Sequence, residues 1–133
     1  MTTLLVFLPP DAAPYTLERL EAEISPLFRG DDELRITMPI RPFIGDKHLH
    51  FGWGERWGFS AYLENDRVVT DDARHIQGKL GNVFPKGLPS SRIRLGFGQD
   101  SSKDFTNHII WVWEHFAALP SVTIYDVTRE ELW

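Results

Sequence analysis

The chain has 133 residues, 42% of them hydrophobic and 25% charged, with a formal net charge of -5 and no cysteine. That length suits one domain with its own core, spanning 1–133, and is short for two. The lack of Cys excludes disulfides, thiolate metal sites and a cysteine nucleophile, and the acidic balance with scattered Lys and Arg argues against a nucleic-acid binder.

Leu4-Leu5-Val6-Phe7-Leu8, stopped by Pro9-Pro10, reads as a buried strand. No basic segment precedes it, so a signal peptide is not expected. No apolar run approaches the roughly 20 residues that cross a bilayer. A cytoplasmic location, with no membrane partner, is the expectation.

Thr16 is placed to cap a helix whose apolar stripe is Leu17, Leu20, Ile24, Leu27 and Phe28. Pro26 should distort its last turn, and Gly30 should stop it. Leu34 to Met38 alternates as a half-buried strand, ended by Pro39 and Pro42.

"KHLHFGWGERWGFSAYLEND" folds about Glu55 into a hairpin with Trp53 opposite Trp57, Phe51 opposite Phe59 and Leu49 opposite Ala61. All six side chains then share one face, and cross-strand aromatic pairs contribute roughly 0.2–1 kcal/mol each. The other face carries His48 near Tyr62, His50 near Ser60 and Gly52 near Gly58.

Thr70-Asp71-Asp72 looks like a helix start, continued by Ala73, Ile76, Gln77 and Leu80 to Gly81. "GNVFPKGLPSS" is a Gly/Pro-rich connector. Ile93, Leu95 and Phe97 alternate with Arg92, Arg94 and Gly96, which predicts a strand whose arginines share the outer face, where either an acidic partner or solvent accounts for them equally well. After a cap at Ser101 or Ser102, Phe105, Ile109, Val112, Trp113 and Phe116 form the apolar stripe of a long helix. Val122 to Tyr125 is the last strand, and Thr128 opens a closing turn through Trp133.

The predicted fold is α+β: a mixed, mainly antiparallel sheet of five to six strands with two or three helices packed on one face. Chemistry is sparsely signalled. His48 and His50 share a strand face, as many metal sites begin, with Asp46, Tyr62 and Glu64 as candidate third ligands. No HExxH motif or third His completes a set, so no metal is expected.

His108, Trp111 and His115 form a stripe beside the core face of the long helix. A Trp there either meets a partner or is covered from within the chain, for instance by the "NVFPKGLPSS" loop. Asp100 and Asp126 each follow a strand. If those strands are parallel neighbours, both acids share a sheet edge with Asp104 nearby, a candidate acidic site. "GFGQD" lacks the spacing and Lys of a phosphate loop, and no G-x-S-x-G is present. No cofactor is expected.

The stretches "RIRLGFGQDSSKDFTNHIIWVWEHFAALPSVTIYD" and "FGWGERWGFSAYLE" resemble a pattern of small bacterial immunity proteins of polymorphic toxin systems. These combine a strand, an acidic turn, a long amphipathic helix ending near "LP" and a strand ending in "YD". The resemblance implies a non-enzymatic protein that binds and blocks a cognate toxin. The expected partner surface is Trp111, His108 and His115 together with His48, His50 and Tyr62. The competing reading is a small-ligand- or metal-binding enzyme using His48/His50 or the Asp100/Asp126 edge. A homodimer seamed at the sheet face or helix stripe is the third.

Overall fold

The computed structural model describes residues 2–40 and 47–133. In chain order it runs β1 (Thr2–Phe7), α1 (Leu17–Ile24) with a 3-10 turn at Ser25–Phe28, β2 (Arg35–Thr37) and β3 (Leu49–Trp53). Then follow β4 (Trp57–Glu64), α2 (Arg67–Leu80), β5 (Arg92–Phe97), α3 (Thr106–Ala117), β6 (Thr123–Asp126) and β7 (Glu131–Leu132). The strands make one sheet in the order β2-β3-β4-β5-β1-β6-β7, antiparallel at every ladder.

β1 explains the layering. Its side chains alternate, so Leu4 and Val6 point to one face and Leu5 and Phe7 to the other, and all four are buried. On the first face, Leu20 and Ile24 of α1, Phe28 of the 3-10 turn, and Phe105, Val112 and Phe116 at α3 close the main core. On the second, Val69, Ala73 and Ile76 of α2 meet Leu5, Phe7, Phe84 and Tyr125.

The α+β class is as expected. Seven strands stand where five or six were predicted, because Glu131–Leu132 pairs with β6 in place of a closing turn. No parallel ladder appears among the described residues. Two helices share a face, and the third covers the opposite side.

Local chemistry sets the boundaries. Thr16 caps α1 by accepting the Arg19 N–H at 3.1 Å, and Pro26 tightens the following turn into 3-10 geometry. α2 starts a turn before Thr70, because the Asp66 carboxylate accepts the Val68 N–H at 3.1 Å. Neither Ser101 nor Ser102 caps α3. Asp100 Oδ2 instead accepts the Phe105 N–H at 3.1 Å and the Thr106 hydroxyl at 3.3 Å.

The hairpin has the predicted register, with Trp53, Phe51 and Leu49 facing Trp57, Phe59 and Ala61. Phe51 and Phe59 stack at 4.6 Å, and both Trp rings are buried. Their polar edges are satisfied: Trp53 Nε1 donates to Asp31 Oδ2 at 2.8 Å, and Trp57 Nε1 to the Gly98 carbonyl at 2.9 Å.

Candidate functional site

The polar face of the hairpin is only partly open. His48 is 9% exposed, and its ring stacks on Tyr62 at 4.5 Å. The Arg94 guanidinium lies over Tyr62 at 4.1 Å. His50 is half-buried, and its Nδ1 shares a 3.0 Å hydrogen bond with Ser60 Oγ. Its ring rests across Gly52 and Gly58: a Cβ built on Gly58 would stand 3.0 Å from His50 Nε2 and 2.9 Å from the Phe51 carbonyl. The glycines thus make the bed in which this imidazole lies. His48 and His50 share a face as expected, but His48 is packed against Tyr62 and leaves His50 as the more accessible ring. Among the described residues no group of three His, Asp or Glu is placed to hold a metal ion. Asp46 lies outside those residues.

Of the two readings of the outer strand face, an acidic partner or solvent, Arg92 and Arg94 take the first. Arg92 is 6% exposed and donates to Glu64 Oε1 at 2.8 Å and Asp72 Oδ2 at 2.7 Å. Arg94 adds a 3.1 Å bond to Glu64 Oε2. Burial pushes the Glu64 carboxyl upward, but the two guanidiniums outweigh it and hold the group below its ordinary value. Asp72 lets this network tie α2 to the sheet.

The stripe on α3 divides into three environments. His108 sits among Phe28, Trp53, Phe105 and Trp111, with ring centroids 5.1–5.3 Å away. Its Nε2 is 3.9 Å from Asp31, and its Nδ1 is buried without a hydrogen bond. Burial depresses its pKa and outweighs the attraction of Asp31 and Asp100. His115 donates from Nε2 to Glu23 Oε1 at 3.0 Å; that oxygen also takes the Tyr15 hydroxyl at 2.8 Å, and Arg19 Nε reaches Glu23 Oε2 at 2.9 Å. This cluster joins α1 to α3. Burial pushes the Glu23 carboxyl upward, and the three donors override it.

Trp111 remains 42% exposed, touching Phe28 at 6.2 Å and His108 at 5.3 Å. The "NVFPKGLPSS" loop does not cover it. Phe84 of that loop belongs to the opposite core, against Phe7. The sheet therefore separates Trp111, His108 and His115 from His48, His50 and Tyr62, and the six do not form one continuous surface.

Asp100 and Asp126 lie at the same end of the sheet, since β5 and β6 both run antiparallel to β1. They are not on neighbouring strands, because β1 stands between. Asp126 is buried and accepts the N–H groups of Thr128 at 2.9 Å and Arg129 at 3.1 Å. Asp104 is exposed, with Arg56 at 4.0 Å. The three acids make no shared site: two shape turns, and one faces solvent near the hairpin tip.

Two things went unread in the sequence, the identity of the acids around Arg92 and the Tyr15–Glu23–His115 cluster. The residues involved come from separate elements, so only the i,i+4 spacing of Arg19 and Glu23 carried a local signal. Comparison with known protein families, curated proteins and solved structures finds no match.

Proposed function

We propose that this chain acts by binding a protein partner, in the manner of an immunity protein that neutralises a toxin domain, with Trp111 as the anchor. The observation that carries the reading is the position of Trp111. It is a large aromatic left 42% exposed at the rim of a cluster whose other rings, Phe28, Trp53, Trp57 and Phe105, are buried. Aromatic anchors backed by a rigid surface are the side chains that dominate protein interfaces. The backing is stiff here: His108 lies between Trp111 and Trp53, and Trp53 is fixed by Asp31.

Glu33 and Asp104, both exposed, flank the Arg56 guanidinium at the hairpin tip and give this side of the molecule a mixed-charge rim. His115 supports the α1–α3 packing beneath this surface and contributes to it indirectly.

The test is calorimetric titration with the products of the genes neighbouring this one, paired with a growth-rescue assay for any product that is toxic. Wild type should bind and restore growth. Trp111→Ala should weaken binding by roughly 2 kcal/mol, about thirtyfold, with an unchanged melting temperature. Equal binding by wild type and Trp111→Ala would remove Trp111 from the interface, and no binding by either would sink the reading.

A further inference from the structure

A cavity of about 450 Å³ opens at the end of the sheet between the β5–α3 turn, one flank of α3 and the C-terminal hairpin. Its volume is within the range of small-molecule sites. The chemistry of its wall is divided. Ile109, Ile110 and Trp133 supply one apolar side, and Ile110 and Trp133 are among the exposed large hydrophobics of the chain. Trp133 stacks on Trp113 at 5.6 Å and remains partly exposed.

Lys103 and Arg129 supply two cations from the two turns that bound the opening. Lys103 has no ion pair among the described residues, and Arg129 makes only 3.9 Å approaches to Asp126 and Glu131 while remaining exposed. Of the acids here, Asp100 lines the cavity, and its buried Oδ1 has no hydrogen-bond partner among the described residues. Asp100 Oδ2 is used by the Phe105 N–H and Thr106 hydroxyl, and Asp126 Oδ1 by the Thr128 and Arg129 N–H groups. They brace the turns that present the cations.

We infer that this cavity binds a small organic monoanion, a carboxylate on an aromatic or branched apolar body. The head group lies between Lys103 and Arg129, with the Ser101 hydroxyl as a further donor, and the body lies against Trp133 and Ile110. Two cations on opposite turns fit the head group, and the apolar flank of α3 fits the body. Inorganic phosphate is the poorer occupant, because it has no apolar body to lay against Trp133 and Ile110. This site stands on the other flank of α3 from Trp111, so it is independent of the protein-binding reading.

The test is a proton–nitrogen NMR titration of the full chain with 3-phenylpropionate, its neutral amide, and inorganic phosphate. Saturable shifts at Gly98, Ser101, Thr106 and the Trp133 indole are expected below roughly 10 mM 3-phenylpropionate. The amide and phosphate should each bind at least tenfold more weakly. Arg129→Ala and Lys103→Ala, both at exposed positions, should each lower affinity for the carboxylate about fivefold or more and leave the remaining spectrum in place. Equal affinity for acid and amide, shifts centred elsewhere, or no saturation in that range would overturn the assignment.

Discussion

Replacing Gly58 by Ala puts one methyl group where two fixed objects already stand. The new Cβ would be 2.9 Å from the Phe51 carbonyl oxygen and 3.0 Å from two atoms of the His50 ring. The ring is restrained by its bond to Ser60, and the carbonyl belongs to β3, so neither moves cheaply. Overpacking of this kind costs about 1–3 kcal/mol, while Gly→Ala returns about 0.4–1 kcal/mol by restricting the unfolded chain. The net expectation is a loss of about 1–2 kcal/mol.

Gly96, on the same face of β5, is the internal control. A Cβ there meets nothing within 4 Å, so Gly96→Ala should gain up to about 1 kcal/mol. Urea unfolding followed by Trp fluorescence reads both, with the slope unchanged and the midpoints moved in opposite directions. Adding His50→Ala to Gly58→Ala should recover only part of the loss, because the Phe51 carbonyl remains. If Gly58→Ala is as stable as wild type, the glycine bed beneath His50 has no energetic meaning.

Arg92→Met should cost about 3 kcal/mol in the same assay, because it leaves Glu64 and Asp72 facing a buried position without their cation, whereas Asp72→Asn, at a half-exposed site, should cost under about 1 kcal/mol. A loss equal to that of Asp72→Asn would show that the Arg92 cluster contributes no more than a surface pair. His108 has a folded pKa below its unfolded value, so the folded state takes up its proton later than the unfolded state as pH falls. Stability from its neutral form is full above about pH 6.5 and declines as pH drops from there toward the folded pKa. Melting temperatures from pH 8 to pH 5 should fall in wild type and fall less in His108→Phe; parallel curves would refute the assignment. Below the ordinary carboxylate range Glu23 and Glu64, whose folded pKa values are lowered, should add a second decline as they protonate.

How much of this was legible in the sequence depends on the range of each interaction. The hairpin register could be read because a three-residue tip and a period of two leave one way to bury Leu49, Phe51 and Trp53 together. The start of α2 was missed by a turn: Arg67-Val68-Val69 has β-branched residues that suit a strand, and Asp66 outweighs them through a bond to Val68. Alternation assigns Arg92 to the outer face and leaves an acidic partner and solvent equally open, because it does not reveal that α2 returns to cover that face. The acids Asp100 and Asp126 drew attention as chemistry and turned out to shape turns. The cations beside them drew none, since isolated Lys103 and Arg129 have no local pattern. Trp111 was legible as an outlier from its helix's core stripe, and Phe28 as a member of the α1 stripe, but their contact across two elements was not.

The place of β1 has a kinetic consequence. Its two ladder partners are β5 and β6, far away in sequence, so this interior strand stays unpaired until most of the chain is available. Closing such long loops must precede the reward of pairing, which slows folding relative to a fold built from neighbouring strands. During that interval Leu4, Leu5, Val6 and Phe7 form an exposed apolar segment of high β-propensity, the kind of stretch that pairs with other chains. The β3–β4 hairpin, with its local register and stacked rings, is the natural nucleus. Refolding should therefore show early Trp burial at Trp53 and Trp57, and protection of the β1 amides should come last.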